Sequence, residues 1–174
     1  MVKKILAYML FLGVIYPLSA AAQDTLARFE GGIGVIPVSN VAVAADGTVT
    51  VARNVVRGVN PAGQIWVIDK LDAEVKTNGH ITVDGRGLIL GGGNNAGRAT
   101  GQRVFATLIC EAATPFTERS TDLAGVPLAP NGDFKIDDRL SPAPFDCASP
   151  MLLIRNAAGL AWFAAGILKQ DRDD

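Results

Sequence analysis

Along most of this chain apolar and polar residues alternate with a period of two, and Gly, Pro, Asn and Asp break the alternation at short intervals. The pattern is clearest in VAVAADGTVTV (41–51), AEVKTNGHITV (73–83) and VPLAPNGDFKI (126–136). Each sets Asp-Gly or Asn-Gly between alternating apolar residues, the strongest short-range signature of a β-hairpin. The pleat then fixes the loop length. A two-residue Asn78-Gly79 turn sets Val75 against Thr82 and mixes apolar with polar residues on both faces. A three-residue loop sets Val75 against Ile81 and Ala73 against Val83. Because a one-residue slip sends every side chain to the other face, the second register is expected. The same choice pairs Val43 with Val49 and Val41 with Val51, and then Leu128 with Phe134 and Val126 with Ile136. Gly47, Gly79 and Gly132 close these type I turns with positive φ, and alanine at any of them is expected to cost on the order of 1 kcal/mol.

Further strands are predicted at GVIPV (34–38), IWVIDKL (65–71), GLIL (87–90), RVFATLI (103–109), MLLIR (151–155) and LAWFAAGIL (160–168). The last two are joined by Asn156-Ala157-Ala158-Gly159 as another hairpin. The stretches 111–125 and 141–150 are loops, the second held extended by its prolines. No apolar period of 3.6 is sustained beyond the N-terminal segment. The pattern therefore predicts an all-β fold, an antiparallel β-sandwich of Ig-like or Greek-key type, with a small closed β-barrel as the alternative.

The N-terminus changes the picture. MVKKILAYMLFLGVIYPLSAAAQD opens with two lysines, runs apolar from Ile5 to Tyr16 and ends on Ala20-Ala21-Ala22, the layout of a cleaved signal peptide (1–22). The apolar run is shorter than the roughly 20 residues of a membrane span, so no span is expected after cleavage. Residues 23–168 then form one all-β domain, followed by a charged, disordered tail (169–174). Cleavage removes Lys3 and Lys4, leaving 14 Lys+Arg against 17 Asp+Glu, a net charge of −3. A mildly acidic chain with no basic run lacks the electrostatic footprint of nucleic-acid binding. Export to an oxidising compartment, secreted or periplasmic, makes Cys110 and Cys147 a disulfide pair. Closing a loop of nearly forty residues stabilises a fold by roughly 3–4 kcal/mol on the chain-entropy model.

Candidate chemistry begins at GLILGGGNNAGRATGQR (87–103). Gly91, Gly93 and Ala96 satisfy the dinucleotide fingerprint, but that motif works by aiming a helix N-terminus at a pyrophosphate. Here Gly97 and Gly101 would occupy the first helical turns, and a β-branched, aromatic strand follows. A P-loop reading fails too, since Arg98 and Ala99 replace the lysine and hydroxyl residue. What is left is a long glycine-rich connection whose polar residues Asn94, Asn95, Arg98, Gln102 and Arg103 are the candidate ligand-binding set.

His80 is the single histidine and is expected to stand exposed opposite Lys76 with no carboxylate partner. Asp133, Asp137, Asp138 and Asp146 read as solvated charges, with spacing that matches no calcium motif. Trp66 and Trp162 read as core. No cofactor and no metal site is expected. These residues point to an exported, non-catalytic binding, surface or assembly module whose partner is a protein, a glycan or a second copy. The alternatives are a hydrolase with a carboxylate-based site and a Ca-stabilised adhesin-like module.

Overall fold

The computed structural model describes residues 24–170, so the expected signal peptide and residues 171–174 lie outside the described residues. The described chain is all-β and antiparallel, without helices, and carries the expected disulfide between Cys110 and Cys147. A formed disulfide fits an oxidising, extracytoplasmic environment. Among the described residues no helix is long and apolar enough to cross a membrane.

The strands are β1 (Thr25–Gly34), β2 (Val38–Val43), β3 (Val49–Arg53), β4 (Trp66–Val67), β5 (Lys70–Lys76), β6 (His80–Arg86) and β7 (Ile89–Leu90). They continue with β8 (Arg103–Ile109), β9 (Arg119–Ser120), β10 (Val126–Pro127), β11 (Phe134–Arg139), β12 (Met151–Asn156) and β13 (Trp162–Leu168). The main sheet runs β10-β8-β12-β13-β1-β5-β6-β11, with β9 added beside β8. Its two end strands, β10 and β11, are consecutive in the chain, so the sheet curls back toward itself and is nearly closed and barrel-like.

Two of the three expected hairpin registers form as read from the pleat: Val75 faces Ile81 and Ala73 faces Val83, while Val43 faces Val49 and Val41 faces Val51. In the third, the turn forms but the pairing does not. Ala129 and Asp133 close the turn through a 2.9 Å backbone bond, yet β10 pairs with β8 and β11 pairs with β6. At the seam between these two ends of the sheet, fully buried Leu88 follows β6 along the turn and donates its N–H to Gly132 O at 3.0 Å. The seam is stitched further along by Asp122 N–H on Asp138 Oδ2 at 2.9 Å and by mutual backbone bonds between Ser120 and Ser141.

Other boundaries shift for local reasons. Val35, Ile36 and Pro37 separate β1 from β2, because fully buried Val35 spends its backbone on Phe163 O and Trp66 N. IWVIDKL divides at Ile68-Asp69, where Asp69 N–H turns to Arg86 O. Lys169, first residue of the expected tail, donates its N–H to Arg28 O at 2.8 Å.

The core lies on the concave side of the sheet, and β8 and β12 form its centre. Val104, Ala106 and Leu108 share one face with Leu152 and Ile154, all fully buried. The opposite face, with Phe105, Thr107 and Arg155, is covered by the 111–121 segment. Arg155 is only 6% exposed in its side chain, and its charge is met by Glu118 at 2.6 Å, Leu160 O at 2.9 Å and the Phe105 ring at 5.3 Å. Trp66 and Trp162 are both buried; Trp66 stacks on Phe163 with ring centroids 3.9 Å apart.

The three turn glycines have φ of +82°, +83° and +86°, as the loop length required. Their surroundings differ, which divides the single cost expected from sequence. A Cβ at Gly47 meets nothing within 4 Å, whereas at Gly132 it lies 2.5 Å from both the N and O of Leu88. Gly47→Ala is expected to lose about 1 kcal/mol from backbone strain alone, and Gly132→Ala at least about 3 kcal/mol because the seam must move. Urea unfolding of the two variants checks this, and equal losses would contradict it.

Candidate functional site

The glycine-rich stretch between β7 and β8 is a chain of turns. Gly97 N–H bonds Leu90 O and Leu90 N–H bonds Arg98 O, which folds the loop back onto β7. Gly93, Gly97 and Gly101 have positive φ and open space where a Cβ would point, so these glycines serve backbone conformation and not the close approach of a ligand. The candidate set drawn from this loop is not brought together. Gln102 accepts from Asn156 Nδ2 through its side chain and receives Leu128 N–H on its carbonyl. Arg103 gives Nε to Ala124 O at 2.8 Å and Nη2 to Gly125 O, clamping the 124–125 turn against β8. Asn94, Asn95 and Arg98 are exposed on the loop's outer side.

The carboxylates are held separately. Asp133 accepts Gly87 N–H and the Asn131 amide, Asp138 accepts Asp122 N–H and Arg139 N–H, and Asp146 is exposed in the 141–150 loop. Among the described residues no group of three His, Cys, Asp or Glu side chains could hold a metal ion. Asp137 corrects the expectation for His80: its Oδ1 lies 2.7 Å from His80 Nε2, and the histidine is half-buried. The partner comes from β11, which lies beside β6 in the sheet.

The outer face of β1, β5, β6 and β11 is charged and forms a shallow groove of about 490 Å³. Glu30, Asp72, Asp84 and Lys135 stand in one row across the four strands. Each acid has its own cation: Lys169 on Glu30 at 2.7 Å, Lys70 on Asp72 at 2.5 Å and Lys135 on Asp84 at 2.9 Å. The Lys135 ammonium holds Asp84 below the usual carboxylate range, and the Thr25 hydroxyl does the same for Glu74. Both are therefore ionised acceptors near neutral pH, the opposite of what a general acid needs.

The feature that sequence reading passed over is the ribbon β2–β3. It pairs with no other strand and stands off the main sheet. Val38 pairs with Arg53, Asn40 with Ala52, Val41 with Val51 and Val43 with Val49. An extra residue in β2 between Val38 and Asn40 forms a bulge, which returns Val38 to the face of Val41, Val43, Val49 and Val51. Five valines thus line one face, and each is between 41% and 67% exposed. At the root the stripe runs into an apolar groove of about 440 Å³ formed by Ile36, Pro37, Val38, Ile65 and Gly92-Gly93.

The root is firm. Asn54 bonds Pro37 O and Ile36 O at 3.0 Å each, Arg53 Nη2 bonds Pro61 O at 2.8 Å, and Trp162 Nε1 bonds Asn54 O at 3.0 Å. The alternation VAVAADGTVTV announces the hairpin and the pairing of its valines, and says nothing of what their face meets. The signal that could have separated arm from barrel was the pairing of small Ala and Thr residues on the second face, which suits a thin ribbon wetted on both sides.

Fold and site together define a disulfide-bonded, antiparallel all-β protein with a projecting apolar arm. No family model matches the chain, and no curated protein or solved structure is similar to it.

Two outcomes follow from the side chains placed here. Arg103→Ala should lose roughly 1–2 kcal/mol of stability through its two carbonyl bonds, while Arg98→Ala should stay within about 0.5 kcal/mol of wild type; chemical denaturation separates them. The second concerns Glu111, which Arg119 Nη2 at 2.9 Å and the Thr117 N–H pull down to a pKa of about 2. A depressed carboxylate stabilises above its unfolded pKa and loses that contribution as pH falls through the folded one. The stability gap between wild type and Glu111→Gln should therefore be on the order of 1 kcal/mol at pH 6, after solvent screening, and vanish by about pH 2. A gap that stays constant across that range would refute the assignment.

Proposed function

We propose that this protein is an exported, non-catalytic binding or assembly module and that the valine face of the β2–β3 arm, with the groove at its root, is the contact surface. The observation that carries the reading is the exposure of all five valines on a ribbon that packs against nothing. A two-stranded ribbon is at best marginal in water by itself, and a contiguous apolar surface rimmed by polar groups marks an interaction site. Fully burying a valine contributes roughly 1.5 kcal/mol, so covering the exposed half of five gives on the order of 4 kcal/mol before the cost of association. That alone makes a weak contact, and the root groove has to share in it.

Export is supported by the N-terminal sequence and by the disulfide, which together favour the periplasm or the extracellular space. The paired and locally bonded carboxylates weigh against the hydrolase reading, and their dispersion weighs against the calcium-stabilised one.

A photo-crosslinking amino acid at Val43, introduced in the cells that make the protein, should give one discrete adduct. The same probe at Lys76 on the charged face is the control. Val41→Lys with Val51→Lys should abolish the Val43 adduct and shift the melting temperature by no more than about 3 °C, because the arm touches no core residue. Equal labelling from Val43 and Lys76 would remove the arm as the contact surface.

A further inference from the structure

We infer that the occupant of the arm is the arm of a second copy of this chain, packed face to face and antiparallel about a two-fold axis near Val41. The inference rests on the reading of the arm as a contact surface and names its partner.

Composition makes the first argument. Between Val38 and Arg53 the arm carries two charges, Asp46 at the tip turn and Arg53 at the root. A face made of valines recognises another flat apolar face, and it offers no charge pattern along its length that would select a differently charged partner. An isologous contact asks only that one patch be complementary to itself.

Position makes the second argument. Arg53 pairs with Val38 and so lies on the valine face, while Asp46 ends the ribbon at its far tip. Two arms laid antiparallel bring the tip of each over the root of the other. Asp46 of one copy then meets Arg53 of its mate at both ends, and the tip valines Val43 and Val49 enter the groove beside Ile36 and Ile65. Asp46 is ready for this role, because the Thr48 N–H holds it below the usual carboxylate range. Arg53 uses Nη2 on Pro61 O, which orients its guanidinium. A parallel arrangement would instead put the two Asp46 carboxylates together.

Area makes the third argument. A six-residue strand beside a five-residue one gives a face about 20 Å long and about 10 Å wide. Two such faces with both root grooves bury on the order of 1,000 Å² in total, the threshold for a specific interface. A contact of that size dissociates on dilution, so the dimer is concentration-dependent, and its two ribbons stack as the layers of a small sandwich.

Sedimentation equilibrium on the purified protein tests this. A monomer–dimer equilibrium is expected, and V41K/V51K should be monomeric throughout. D46R alone should weaken association several-fold by facing Arg53, as should R53E, and the exchange D46R/R53E should recover it to within about twofold of wild type. Circular dichroism checks that each variant keeps its sheet, and D46R with V41K/V51K carries the test if R53E disturbs the root. A wild-type monomer at about 100 µM, a ladder of higher oligomers or an exchange variant no better than its parents would overturn the two-fold pairing. The Val43 adduct separates the two levels. An adduct of twice the chain mass supports self-pairing. An adduct with another protein overturns self-pairing and leaves the contact surface standing, and labelling no stronger than at Lys76 removes both.

Discussion

The fold depends on the burial of β8 and β12 on both of their faces. A strand in an antiparallel sheet can leave one side in water, but these two cannot, because VFATLI and LLIR supply apolar residues at successive positions. One face goes into the concavity of the curled sheet. The other is covered by the irregular chain that leads into β9, from which Glu118 reaches Arg155, before Arg119 and Ser120 join the sheet beside β8. That roof brings polar groups into a dry place, so Arg155, Glu118, Thr107 and Ser120 have to satisfy one another there. The disulfide sits where strand β8 passes into the roof, and Arg57 binds Ile109 O and Ser149 on the far side of the same junction. A disulfide and side-chain bonds thus hold the chain where regular structure stops.

The sheet's chemistry is divided around its circumference. The β1-β5-β6-β11 side is a lattice of opposite charges in which Glu30, Asp72, Glu74 and Asp84 each have a lysine or arginine within reach, and these charges are already met. The β2–β3 arm is the reverse, a neutral surface with its apolar groups unmet. The barrel-like sheet completes its own interactions and the arm does not. The glycine-rich loop differs from both, because its glycines at 93 and 97 shape its own turns.

Much of the architecture was legible in the sequence because two local rules acted together, Asn/Asp-Gly turns and period-two alternation. They set the registers at Asn78-Gly79 and Asp46-Gly47 to the residue, and they gave strand β8 its limits. What they could not see was whether two strands joined by a tight turn stay paired beyond it. Here β10 finds β8 and β11 finds β6, and nothing near Asn131-Gly132 in the chain announces partners that lie far earlier in the sequence. Strand β1 was missed for a different reason: Gly31, Gly32 and Gly34 interrupt its alternation, and the bulge that absorbs them is visible only against β13. The same non-local pairing hid the Asp137 partner of His80. The candidate loop residues were chosen for polarity, and two of them, Gln102 and Arg103, turned out to spend it on the fold. The arm was hidden by its success as a hairpin, since alternation says which residues share a face and is silent on whether anything lies opposite that face.

The bulge at the base of the arm shapes the ribbon without choosing its face. Strand β3 runs from Val49 to Arg53 uninterrupted, so it holds the stripe in phase from root to tip. Loss of the one extra residue of β2 between Val38 and Asn40 would leave Val38, Val41 and Val43 opposite Arg53, Val51 and Val49, as they are now. What would change is the bend and the added twist that a bulge gives its strand. The extra residue thus aims the arm, while the unbroken strand beside it decides what the arm displays.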